Sequence, residues 1–341
     1  MIGTTRIRVL AALALAAASL GAACAGDVDE TRGILCAPID LPAGWSVLRM
    51  PCAPAGLDSG ALLAAVSPSG TAALHTFEPE TGRWVAALRS DGRESGERFA
   101  IERQWAYLVW LSAPARLEPP RVRIRGDVFI FAPGEGRLPG AQLSILEHPQ
   151  HHTVSGVGGA FSFEDVPAGP VTLVLSHPDY AATQTATLAV GPDGIDRVTL
   201  QAPPLPIFGL LAAILGIEPD PQRCQIASTV TRPGASIYGP YPTHGDAGAT
   251  VTIAPSLPPE SGPVYFQIHP NGIVLPDRTL TETSEDGGVV YTNVPPGEYV
   301  LRASKPGRTF TEARVLCRAG LLVNASPPYG MAALTDAETL P

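Results

Sequence analysis

Apolar and polar positions alternate with a period of two through much of the chain. In Val122-Arg-Ile124-Arg and in Gln142-Leu-Ser-Ile every second residue is apolar, the pattern of a strand with one face in a core. It predicts strands over 122–131, 141–147, 160–163, 171–176, 182–190 and 196–200. Regular short strands separated by Gly and Pro predict a β-sandwich. Upstream, residues 41–48 read as a turn and a strand. Residues 73–79 and 83–87 read as two strands joined by the Glu80-Thr81-Gly82 turn, with Gly82 where a positive φ is expected. Segments 99–101 and 105–111 complete a small β unit. Two segments depart from this period. Residues 59–66 have the spacing of one short helix, with Ser59 as the candidate N-cap. Residues 207–217 form an apolar run flanked by prolines, too short to span a bilayer. This run reads as a helix packed between modules; the other reading is a helix that contacts a membrane or partner, because an apolar linker needs cover.

One stretch occurs twice. Residues 158–169 read Gly-Gly-Ala-Phe-Ser-Phe-Glu-Asp-Val-Pro-Ala-Gly, and residues 286–297 read Asp-Gly-Gly-Val-Val-Tyr-Thr-Asn-Val-Pro-Pro-Gly. Each is preceded by a Gly-Ala strand, at 140–145 and 248–253, and followed by a β-rich run, at 171–175 and 299–303. The chain therefore carries two copies of one small β module. Gly169 and Gly297 suit a positive φ before a strand. Pro167 and Pro295 suit the end of strand pairing, and Phe161, Phe163 and Tyr291 suit inward positions. The second copy holds an insertion around 255–283. Long loops on a rigid sandwich are where binding resides, so Tyr265, Phe266 and Arg278 are the candidate ligand-binding residues, with the aromatic and cationic chemistry of hot spots. The alternative is that 264–267 forms an added strand closing the sheet edge, with Arg278 solvated.

Composition adds limits. The 341 residues carry a net charge of −9, which disfavours nucleic acid as a partner. Arg6 and Arg8, the apolar run 9–20 and the small residues 21–26 form a secretory signal. Leu20-Gly21-Ala22-Ala23-Cys24 resembles a bacterial lipoprotein signal, with Cys24 as the lipidated residue; Gly21 departs from that pattern. Cleavage after Ala25 is the competing reading. The expected location is the cell envelope, as an outer-membrane lipoprotein facing periplasm or exterior, with membrane contact through the lipid anchor only. Removing Cys24 from the five cysteines leaves Cys36, Cys52, Cys224 and Cys317, an even number for an oxidising compartment. Proximity and module membership favour Cys36–Cys52 and Cys224–Cys317 among the three pairings. The expected organisation is a signal at 1–24, a tether at 25–33, a small β-rich domain at 34–117, sandwiches at 120–203 and 222–326, an apolar helical linker at 204–221 and a tail at 327–341.

The middle segment carries a specific resemblance. Arg125-Gly126-Asp127-Val128, Pro139-Gly140-Ala141, Gly158-Gly159-Ala160-Phe161-Ser162-Phe163, Asp165-Val166-Pro167-Ala168-Gly169 and His177-Pro178-Asp179-Tyr180 resemble the carboxypeptidase regulatory-like family. The departure is Gly158, where an Asp often precedes the Gly; the second copy has Asp286 there. The resemblance implies a transthyretin-like (prealbumin-like) sandwich of about seven strands and an accessory rather than catalytic role. The fold class expected for the whole chain is all-β: tandem prealbumin-like sandwiches preceded by a small β-rich domain with one short helix.

Candidate chemistry is sparse. His148, His151 and His152 form the one histidine cluster; a metal site needs more ligands and supporting partners, so no metal is assigned. Glu164 and Asp165, like Glu285 and Asp286, are sequence neighbours that point to opposite faces of a strand. Asp286 reads as a side chain closing its own turn. Thr153-Val154-Ser155-Gly156 is an incomplete nucleophile motif, and neither a phosphate-binding loop nor a zinc protease motif occurs. No cofactor is expected. Tyr238, Tyr241, Tyr265 and Phe266 are candidate sugar-stacking residues. The reading that results is a non-catalytic structural or adhesive envelope scaffold, with an unknown surface protein or glycan as partner; the alternative is a carbohydrate-binding protein.

Overall fold

The computed structural model describes residues 36–131, 136–238, 244–325 and 330–335. The signal segment, Cys24 and Tyr241 lie outside the described residues. Among the described residues the architecture is all-β with two α-helices.

The N-terminal unit contains β1 (Ile39–Leu41), β2 (Gly44–Arg49), α1 (Ser59–Val66), β3 (Ala72–Glu78), β4 (Arg83–Ser90), β5 (Arg93–Gly96), β6 (Ala106–Leu111) and β7 (Ala115–Leu117). Five strands form an antiparallel sheet ordered β2-β6-β3-β4-β5, and β1 pairs with β7. Leu62, Leu63 and Val66 of α1 pack on Leu48, Leu74, Tyr107 and Val109 of one sheet face. The N-cap is Asp58, whose side chain accepts the Ala61 N–H at 2.7 Å. Ser59, the residue expected there, instead accepts the Phe99 N–H through its hydroxyl. The 99–101 segment makes a single bridge, Ala100 to Asp58, and no strand. Strand β5, Arg-Glu-Ser-Gly, is exposed throughout and therefore has no apolar alternation to betray it.

The first sandwich contains β8 (Arg121–Ile130), β9 (Gly136–Arg137), β10 (Gln142–Ile145), β11 (His152–Val154), β12 (Ala160–Pro167), β13 (Gly169–Val171), β14 (Leu173–Ser176), β15 (Thr183–Thr185), β16 (Leu188–Val190) and β17 (Ile195–Ala202). One layer is ordered β12-β8-β17 with β9 on β8; the facing strands run β11-β10-β14-β15; β13 and β16 pair separately. Ile124, Leu143, Phe161, Phe163, Leu175 and Val198 fill the space between. After α2 (Leu205–Leu215) come β18 (Cys224–Thr231), β19 (Thr250–Ala254), β20 (Val264–Ile268), β21 (Val274–Asp277), β22 (Gly288–Val294), β23 (Gly297–Ser304), β24 (Ala313–Cys317), β25 (Leu322–Ala325) and β26 (Met331–Ala332). In this second sandwich β19-β23-β24 faces β25-β18-β22-β20-β21, with β26 also on β18.

The two sandwiches are fused through one sheet. Strand β15 of the first pairs in parallel with β25 of the second, Thr183 to Leu322, Gln184 to Val323 and Thr185 to Asn324. Around it, Leu322 N–H donates to Ala182 O and Thr187 N–H to Arg314 O, while the Gln184 amide donates to Leu316 O at 2.6 Å. Ala186 is buried in the core of the second sandwich.

The repeated stretch encodes the same irregularity in both copies. The ladder shifts register between Phe163 and Val166 in β12 and opposite Tyr291 and Val294 in β22. At the shift stand Asp165, φ 58°, and Asn293, φ 49°, short polar side chains that tolerate the left-handed region. Gly169 and Gly297 follow with φ 142° and 159°.

Both expected disulfides form, Cys36–Cys52 and Cys224–Cys317. Cys36 is buried in the first sandwich's core, so the first bond ties the N-terminal unit to that sandwich. The second joins β18 to β24, across the second core. Their sequence separations are 16 and 93 residues. The double variant Cys224→Ala/Cys317→Ala should lose about 4–5 kcal/mol of unfolding free energy and Cys36→Ala/Cys52→Ala about 3. Urea midpoints of the two variants check this; a larger loss for the short-loop pair contradicts the chain-entropy account.

Candidate functional site

Helix α2 starts where the first sandwich ends and lies on the outer face of the second sandwich's sheet. Pro204 precedes it, Pro206 sits in its first turn, and Gly216 closes it at φ 67°, donating back to Ala212 O and Ala213 O. Leu205 N–H donates to Asp179 O of the first sandwich. The helix carries no charged residue. Its Leu211 and Leu215 pack on Val264, Phe266, Val274 and Val290, while Leu205, Leu210 and Ile214 are exposed. Strand β22 explains the contact: Val289 and Tyr291 enter the sandwich core and Val290 faces the helix, so the strand is apolar on both faces. The inserted residues add two strands, β20 and β21, to this sheet beside β22.

Of the two expectations for the insertion, the added strand is present: residues 264–267 lie in β20. Tyr265 is buried in the core, its hydroxyl accepting the Val251 N–H at 2.9 Å. Phe266 is buried beneath α2. Arg278 is exposed, and its Nε and Nη2 both donate to Leu215 O at 3.2 Å. A guanidinium there satisfies a carbonyl that the helix end leaves open, and complements the helix dipole. The physical reason is common to all three: a two-faced apolar strand needs cover on both sides, and the cover needs its end held.

The other sequence candidates are also occupied. The Tyr238 hydroxyl donates to Asp127 Oδ2 at 2.6 Å, and its ring and that of Phe129 form a T-shaped pair with centroids 5.2 Å apart. Arg197 lies 4.4 Å from the Tyr238 centroid and Arg137 3.6 Å from that of Phe129, so this tyrosine docks the second sandwich on the first. Burial, then Asp127, raises its phenol pKa. His148 and His151 stand edge to face at 6.2 Å across a turn, and among the described residues no group of three or more His, Cys, Asp or Glu could hold a metal.

Between α2 and the sheet is a cavity of about 110 Å³, with Phe208, Leu211, Phe266 and Val290 among its walls. Asp286 and His244 also line it. Asp286 is 8% exposed. Its Oδ2 accepts the Gly288 N–H at 3.0 Å, as a turn-closing aspartate should. A Cβ on Gly288 would sit 2.4 Å from that oxygen and 3.0 Å from the Phe266 ring, so the glycine makes the space in which the carboxylate lies beside the aromatic wall. Burial pushes Asp286 up to about 6, opposed by the Gly288 N–H. Burial and the Arg232 charge lower His244.

A second surface lies on the N-terminal sheet. The face opposite α1 carries Trp45, Val47, Phe77, Trp84 and Leu88, all exposed. Trp45 and His75 are 5.4 Å apart, and Phe77 and Trp84 5.6 Å. The alternation Trp45-x-Val47, His75-x-Phe77 and Trp84-x-Ala86-x-Leu88 was the available signal. It is apolar on the face away from the core, so pattern alone does not mark it as a surface.

No protein-family model matches the chain, and no curated protein matches it. Among solved structures, the Bacillus anthracis TIE protein overlaps 75% of this chain at 12% identity and a TM-score of 0.23, and this chain spans less than half of it, 46%. The minor pilin of Streptococcus agalactiae overlaps 62% of this chain and 96% of its own at 12% identity and a TM-score of 0.20. A streptococcal ancillary pilin overlaps 85% of this chain and all of its own at 9% identity and a TM-score of 0.19. At these scores the likeness carries no functional argument.

The buried carboxyl makes a pH signature. Asp286 takes its proton near pH 6 in the folded chain and near 3.8 in the unfolded one. The folded state therefore holds the proton more tightly. The stability that neutral Asp286 contributes is full below about pH 4 and lost as pH rises through 6, a change of about 3 kcal/mol. Asp286→Asn should remove this dependence. Its stability relative to wild type should rise between pH 4 and 6 and then level in urea titrations; a difference that stays flat across that window would show that Asp286 is not a buried uncompensated carboxyl.

Proposed function

We propose that the chain is a non-catalytic structural or adhesive scaffold of the cell envelope, built from two regulatory-like sandwich modules at 120–203 and 222–326. The observation that carries this reading is the sheet shared by both modules. Tandem modules joined by a linker move independently by default; here a parallel strand pair, the Tyr238–Asp127 contact and α2 all cross the junction. Such a body holds its surfaces at fixed distances, which suits presentation and load bearing. The export signal supports the envelope location. The scaffold reading expects both modules to unfold in one calorimetric transition, and Gln184→Pro, which removes a ladder hydrogen bond at the junction, to split it into two. Separate transitions in the wild-type protein would overturn the rigid scaffold.

Carbohydrate binding is the second reading, favoured by the exposed face of the N-terminal sheet. Indole and phenyl faces stack on the apolar faces of sugars, and Trp45, Phe77 and Trp84 stand together there with His75 as a polar neighbour. On a glycan array the purified protein should select one glycan class, and Trp84→Ser should weaken that binding about tenfold or more. Retained binding in this variant would remove the face from consideration.

A further inference from the structure

The cavity beneath α2 has a chemical asymmetry that a packing gap lacks. Its helix-side walls are Phe208, Leu211, Ala212 and Leu215, and its sheet side includes Phe266 and Val290. Uncharged polar residues, among them Gln225, Ser228, Thr292 and Asn324, complete the lining, and its one carboxyl group is the buried Asp286. Burying a carboxylate is costly unless a cation or several donors meet it. The donor that meets Asp286 Oδ2 is the N–H of its own turn, at Gly288. His244, the ionisable neighbour on the cavity wall, is held towards its neutral form by burial and by Arg232, so it is a poor counter-charge.

We propose that this cavity is a binding site for a small organic cation, an alkylammonium whose hydrocarbon lies between α2 and the sheet and whose charged nitrogen meets the Asp286 carboxylate. Size and chemistry each restrict the ligand. A cavity of about 110 Å³ is smaller than the roughly 150 Å³ space that accepts benzene, which limits the hydrocarbon to roughly four or five carbons. An anion would meet the carboxylate with like charge. A neutral alcohol would fill the same space and leave the buried charge uncompensated. An ammonium supplies both the missing charge and hydrogen-bond donors, and charge-assisted pairs are the stronger ones. The site differs from the aromatic face of the N-terminal sheet and is independent of the scaffold reading.

The test uses the full exported chain and three probes of matched length: n-butylamine, 1-butanol and butyrate. At pH 7.5 the amine should shift the amide and methyl resonances of Leu211, Leu215, Phe266 and Val290 with saturation, and should bind at least about tenfold more tightly than the alcohol; butyrate should not bind. Asp286→Asn keeps an oxygen for the Gly288 N–H and removes the charge, so it should abolish the preference for the amine over the alcohol. Ala227→Leu, which adds volume from β18 at the cavity wall, should abolish binding of both while leaving the Asp286 turn intact. Equal affinity for amine and alcohol, an amine preference that survives Asp286→Asn, or saturation in Ala227→Leu would each overturn the proposal. So would a wild-type protein that binds none of the probes.

Discussion

The parallel pairing of β15 with β25 is the constraint on which the rest of the structure depends. It is short, three residues on each side, yet it turns two small sheets into one. With β15 covered, the sheet it belongs to does not end at the junction, and open edges of that kind invite unwanted pairing. The pair also fixes the position of everything that crosses beside it. Helix α2 leaves β17 and can reach the outer face of the second sheet because that sheet continues the first. Tyr238 meets Asp127 and Phe129 for the same reason.

The insertion and the apolar helix are two halves of one device. Each alone breaks a rule: a helix without a charged residue, and a β strand apolar on both faces, are both liable to aggregate. Together they cover one another, and Arg278 holds the helix end through Leu215 O. Asn293 secures the segment between α2 and β18: its side chain accepts the Asp220 N–H and donates to Glu218 O. The contact leaves a cavity, and at Gly288 the missing side chain makes room for the Asp286 carboxylate beside Phe266.

Much of the fold was legible because its determinants are local. Period-two alternation gave β8, β10 and β12, and the apolar run between prolines gave α2. The two disulfides followed from counting and proximity. What the sequence hid was set by distant parts of the chain. Nothing at Thr183–Thr185 announces pairing with residues more than a hundred positions later. Tyr265, Phe266 and Arg278 look alike as surface anchors and as packing residues, because aromatic rings and guanidinium groups serve both. The repeated stretch did carry a finer message, the Asp165 and Asn293 positions, which share a positive φ; their unlike side chains disguise a shared backbone requirement. On the N-terminal sheet, alternation identified the strands but not which face would meet water, since both faces are apolar.

The order of strands in the sheet also sets an order in time. As the chain emerges from a ribosome, β15 is available long before β25, which is the penultimate described strand. Until Leu322–Ala325 arrive, β15 presents an open edge, and the second sandwich lacks the strand that sits between β15 and β18. Neither module can reach its final form by vectorial folding; both wait for the same few residues near the end. Contacts of such long sequence separation form slowly, and partly folded sandwiches with open edges associate readily. A protein built this way loses both modules' shared strand, β25, to a single truncation that removes Leu322–Ala325.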